Sequence, residues 1–146
     1  MHASSYMHME KLVARYLAPL QNRKLRVLDI GSCDINGSYR PLFQRPNWHY
    51  QGVDLSPGPN VDIALANPHR WQGIKTCSVD VVISGQAFEH IEFFWLTWRE
   101  MVRASSLQYY NFPVNFMRLT GDRIRFVYPC RIEDRAVAGR PQVMLG

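Results

Sequence analysis

The sequence predicts an α/β fold built on an open parallel sheet with flanking helices. Three features carry this expectation. Short apolar, β-branched runs alternate with stretches of helical period. Each run stops at a glycine, an acid or a turn-forming cluster, as buried parallel strands do. The length, 146 residues, suits one domain around one core.

The elements follow in chain order. Residues 4–18 read as a helix whose buried face is Met9, Leu12, Val13, Tyr16, Leu17 and Leu20. Ser4 or Ser5 is placed to cap its start, and Pro19 to end or kink it. Residues 25–30 form a buried strand that ends at Gly31. A short helix over 38–44 is interrupted by Pro41. His49 to Val53 is a second strand, closed by Ser56, Pro57, Gly58 and Pro59, and Val61 to Leu65 a third. Val79 to Ser84 is the most β-branched run of the chain. Residues 92–103 form a helix with Phe94, Trp98, Met101 and Val102 on its core face, leaving Phe93 and Trp95 for a pocket or a partner surface.

Composition narrows the function classes. No apolar run approaches the roughly 18–20 residues needed to span a bilayer, and the N-terminus lacks a signal-peptide core, so a cytoplasmic protein is expected. The three cysteines, at 33, 77 and 130, have no metal-ligand spacing and read as free thiols. The five histidines form no motif, so no metal is expected. The net charge is +5, and the six basic residues after position 103 are all arginine. That excess reads as a solvated surface and not as a nucleic-acid interface, since no aromatic-basic module accompanies it.

The chemistry lies at the strand ends, where open parallel sheets bind ligands. The first predicted strand ends in Asp29, Ile30, Gly31 and Ser32, the second in Asp54, Leu55 and Ser56, and the last in Ser84, Gly85 and Gln86. A dinucleotide site wants G-x-G-x-x-G; here Cys33 stands where its second glycine belongs, and Asp29 puts negative charge beside the expected pyrophosphate. A cationic cofactor without phosphate reverses that electrostatic argument. A carboxylate at Asp54 can accept both hydroxyls of a ribose.

Residues 26–103 resemble the class I S-adenosylmethionine-dependent methyltransferases, near the methyltransferase type 11 group. Arg26 to Ser32 is similar to the first motif of that family, Tyr50 to Ser56 to the second, Ser78 to Ile91 to the fourth and its sequel, and Phe93 to Arg103 to the helix that follows. The resemblance implies a Rossmann-like fold, S-adenosylmethionine as cofactor and methyl transfer to an O, N or C nucleophile of a small-molecule or sugar-type substrate. By position it implies that Asp29 and Gly31 border the methionine moiety, with Ser32 also among the cofactor-binding residues. Asp54 would hold the ribose, Leu55 would lie on the adenine, Asn67 and His69 would contact its ring, and Gln86 would sit beside the sulfonium. His90 is the candidate general base, with Glu89 to orient it.

The family pattern stops at Ala104, where Ala104, Ser105 and Ser106 replace an apolar pair and a Pro-Gly-Gly turn. Residues 1–103 are therefore expected to form the cofactor-binding core. Residues 104–146 are expected to be an atypical basic tail, within the same domain or poorly ordered, that arises by truncation or a reading-frame change. The last strands of the seven-stranded fold are expected to be missing or atypical, which would expose a sheet edge to a second copy of the chain. The alternative to an active enzyme is a catalytically impaired remnant or binding module.

Overall fold

A computed structural model describes residues 3–85 and 87–106. Among the described residues four parallel strands form one sheet: β1 (Leu25–Ile30), β2 (Trp48–Asp54), β3 (Ile63–Ala64) and β4 (Val81–Ser84). Their order is β3-β2-β1-β4. The chain thus turns back past β1 after β3, and a switch point lies between β1 and β4. Helices α1 (Ala3–Leu12) and α2 (Phe94–Ala104) complete the architecture.

Side-chain alternation along β1 divides the core in two. Leu25 and Val27 join Met9, Val13 and Leu17 of the N-terminal helical segment, with Phe43, Trp48 and Tyr50. Leu28 and Ile30 face the other way, toward Trp71, Val82, Phe88 and Met101, and Phe94, Trp98 and Val102 pack on this second cluster. Both sheet faces are covered, which is why β1 carries apolar residues on both of its faces, with Arg26 and Asp29 as its polar positions. The α2 stripe is as expected; Phe93 and Trp95 are exposed.

The departures have local causes. The first helix does not run regularly to residue 18. It widens into a π-turn over Val13–Leu17, with the Ala18 N–H donating to the Val13 carbonyl, and then tightens into a 3₁₀ turn, Ala18–Leu20. Pro19 brings no N–H and crowds the carbonyl four residues before it, so the regular ladder opens there. Ser4 and Ser5 lie inside α1 rather than capping it, and the Ser5 hydroxyl meets that of Tyr39. Residues 38–44 contain only the 3₁₀ turn Arg40–Phe43, with Pro41 in its first turn. Cys33 is a free thiol, but Cys77 is disulfide-bonded, against the expectation of free thiols; Cys130 lies outside the described residues.

After α2 the backbone returns to the sheet. Ser105 forms a parallel bridge with Val79, and the Ser106 N–H donates to the Val79 carbonyl at 2.7 Å. The described chain past Ala104, where the sequence resemblance ends, is thus tied to Val79 beside β4. The expectations for the rest of the tail lie outside the described residues. Among the described residues no helix is long and apolar enough to cross a membrane.

Candidate functional site

The carboxyl ends of β1, β2 and β4 open into a cavity of about 610 Å³, within the usual range of small-molecule sites. It gathers seven of the site residues singled out by sequence: Asp29, Gly31, Ser32, Asp54, Leu55, Glu89 and His90. Asn67 and His69 are not among the lining residues. The Asn67 side chain accepts the His69 N–H at 2.7 Å in a local turn, and the His69 ring meets Phe93 edge-on. Leu65, Pro68, Trp71 and Thr97 form the wall in that region instead. Gln86 lies outside the described residues.

The loop after β1 explains much of the shape. Gly31 adopts φ 75°, and its N–H and that of Ser32 both donate to the Val53 carbonyl, at 2.9 and 3.1 Å. A Cβ at Gly31 would run into the Cβ of Ala87. Glycine therefore serves twice, permitting the turn and admitting the chain that follows β4. Gly52, the β2 partner of Asp29 in register, has Asn60 and Ser32 so close that a Cβ there has no room. The Ser32 hydroxyl donates to the Asn60 carbonyl at 3.1 Å, and the Asn60 side-chain amide donates to the Ser32 carbonyl at 2.8 Å.

Two acids border the cavity in different environments. Asp54 is partly exposed. Its Oδ2 accepts the Cys33 N–H at 3.0 Å, and its Oδ1 accepts the Leu55 N–H at 2.7 Å. The carboxylate is thereby locked at the strand end while each oxygen keeps a free lone pair for a ligand hydroxyl. Asp29 is 2% exposed. Burial pushes its carboxyl up to about 7; the Tyr50 hydrogen bond and the charge of Arg40 oppose the rise, and the charge of Asp54 adds to it. His90 sits at the rim in the 3₁₀ turn Phe88–His90, exposed, with Glu89 beside it among the lining residues.

Sequence reasoning missed the groups that support Asp29. The Tyr50 hydroxyl donates to Asp29 Oδ2, and the Asn60 amide donates to the Tyr50 oxygen at 3.3 Å. Arg40 lies over the Tyr50 ring, 4.5 Å from its centroid, and pairs with Asp62. Asp62 in turn accepts the Gly52 N–H at 2.7 Å. Tyr50 had a detectable signal, a polar-tipped aromatic two positions before a glycine within the strand, but its partner depends on the pairing of β1 with β2.

A strand order of β3-β2-β1-β4 and a ligand-sized cavity at its switch point invite comparison with solved structures. An S-adenosylmethionine-dependent methyltransferase from Aquifex aeolicus aligns over 85% of this chain and 90% of its own, at 13% identity and a TM-score of 0.51. The two share a fold. A protein from Methanococcus maripaludis, described as an S-adenosyl-L-methionine-dependent methyltransferase, aligns over 80% of this chain and 71% of its own, at 16% identity and a TM-score of 0.47. No family model matches the chain, and no curated protein matches it.

Proposed function

We propose that the chain is an S-adenosylmethionine-dependent methyltransferase that acts on a small-molecule or sugar-type acceptor. One observation carries the reading: two acids, one buried and one at a strand end, border a single cavity around a glycine turn. The cofactor's features suit that set. It has no phosphate, so the acids do not repel it. Its cationic methionine end favours a carboxylate such as Asp29. The ribose hydroxyls have acceptors in the two Asp54 oxygens, and Leu55 offers an apolar surface to the base. The Gly31 turn lets the chain after β4 pack against it, and Gly31 and Ala87 together line the cavity.

The bound cofactor would supply a methyl group already activated by its sulfonium. The protein's task is then chiefly geometric, to hold the acceptor in line with the methyl–sulfur bond. Such orientation is worth up to about 7–11 kcal/mol by effective-molarity estimates. His90 stands at the cavity rim, where it can take the proton from an acceptor hydroxyl or amine, and Glu89 lies beside it.

Calorimetric titration with S-adenosylhomocysteine tests the reading. Binding by the native chain is expected, and Asp54→Ala should weaken it by at least about tenfold by removing a charged acceptor. No binding by the folded chain at millimolar ligand would overturn the enzyme reading. An unchanged affinity in Asp54→Ala would show that the ribose lies elsewhere.

A further inference from the structure

We infer that Tyr50 is a positioning residue for cofactor binding: its hydroxyl fixes Asp29 and favours the ionised carboxylate that meets the cationic end of the cofactor. This inference rests on the proposed cofactor site and assigns it a residue that does not line the cavity.

The geometry is a relay of fixed contacts. Tyr50 is buried on β2, with its ring against Phe43 at 5.7 Å between centroids. From there its hydroxyl reaches Asp29 Oδ2. The phenol oxygen has one proton to give. Because Asn60 already donates to that oxygen, the proton is directed to Asp29. Arg40 covers the ring face and is held by Asp62 and by the Asn60 side-chain oxygen. The ring therefore has little freedom to rotate its hydroxyl away. One Asp29 oxygen is committed to Tyr50, and the residue itself lines the cavity.

The charge balance at Asp29 gives the contact its leverage. Burial works against the ionised form, and so does the negative charge of Asp54. Arg40 and the Tyr50 hydroxyl work for it. Tyr39, on the loop before Arg40, also feels the charges of Asp29 and Glu89, and burial keeps it a neutral phenol. Burial and the Asp29 charge likewise hold Tyr50 as the neutral donor. With Asp29 poised near neutrality, one hydrogen bond to the charged form decides whether a carboxylate is present. Such a bond is worth about tenfold in the ionisation equilibrium.

The test uses the full chain and two measurements. Carbon-detected NMR follows the titration of Asp29 without ligand, and calorimetry follows S-adenosylhomocysteine binding from about pH 6 to about pH 9. Tyr50→Phe keeps the ring and removes the hydroxyl. Its Asp29 midpoint should rise by about one pH unit. Its affinity relative to the native chain should fall about tenfold below neutral pH and recover to within about twofold at pH 9. A merely structural role would lower affinity equally at every pH. An unmoved Asp29 midpoint, or a pH-independent loss, would overturn the inference. If Tyr50→Phe does not fold, 3-fluorotyrosine in place of Tyr50, isosteric and a stronger donor, should move the midpoint down; an unmoved or raised midpoint would overturn the inference equally. Failure of the native chain to bind would instead refute the cofactor reading beneath it, and an NMR shift in its absence would still locate the Tyr50–Asp29 coupling.

Discussion

Asp29→Asn is expected to make the protein more stable at neutral pH while impairing its ligand site. Burial raises the folded-state carboxyl from an ordinary 3.8 to about 7. Between those values the folded chain retains a proton that the unfolded chain has released, so stability falls as pH rises through the window. Below it both states are protonated and nothing is lost; above it the loss is complete. This is opposite to a salt-bridged carboxylate, whose contribution disappears in acid. At about 1.4 kcal/mol per pH unit, the whole window is worth about 4 kcal/mol. Asparagine stays neutral throughout and keeps an oxygen for the Tyr50 hydroxyl. Any pH-independent effect of the amide cancels when the variant and native chains are compared at two pH values. The stability gap should therefore widen by about 2 kcal/mol in favour of Asp29→Asn between about pH 5.5 and about pH 7.5. Urea unfolding followed by tryptophan fluorescence measures it, since Trp48 and Trp71 are buried. Under the proposed cofactor assignment, the same variant should bind S-adenosylhomocysteine at least about tenfold more weakly at pH 7.5, because the charged group proposed to face its amino group is gone. A gap that is constant with pH, or that narrows, would refute the assignment of Asp29 as a carboxyl destabilised by burial.

Two further predictions concern the frame around that acid. Gly31→Ala should cost about 2–4 kcal/mol, because the new Cβ meets Ala87 and the residue is held at positive φ; an unshifted urea midpoint would show that the turn can relax. Arg26 ties β1 to the start of β4 through Asp80, at 3.1 Å, but its side chain is half exposed. Screening limits Arg26→Ala to a loss of no more than about 1 kcal/mol at neutral pH, shrinking in high salt. Burial pushes the Asp80 carboxyl up, but the side-chain bond from Arg26, its backbone N–H and its charge together hold it below the ordinary value. The contribution of the pair is thus present at neutral pH and lost as pH falls through that lowered value, so native and Arg26→Ala stabilities should converge in acid.

Local patterns locate the four strands but not all of their ends: the third, expected over Val61 to Leu65, spans only Ile63–Ala64. The β1 boundaries agree with the reading at both ends, because an apolar run against Gly31 has no other comfortable structure. The sequence predicts one strand over 79–84, yet the ladder with β1 covers only Val81–Ser84. Val79 bridges to Ser105, a residue 26 positions away, which no local pattern could reveal. The short helix over 38–44 became a single turn because Pro41 limits it, and Arg40 at its start is committed to Asn60 and Asp62.

The sequence by itself determined the parallel α/β class, the glycine turn after β1 and the two strand-end acids. Those features depend on residue type and spacing along a few consecutive positions. Only the tertiary structure decided what each acid is. Asp54 became a partly exposed acceptor locked by two backbone N–H groups. Asp29 became a buried carboxyl poised near neutrality. The difference arises because β1 and β2 pair so that Asp29 lies beside Gly52, which leaves room for Asn60 and brings the Tyr50 hydroxyl within reach. Desolvation and hydrogen-bond supply depend on neighbours from distant parts of the chain, and those neighbours are set by strand register, not by the local motif.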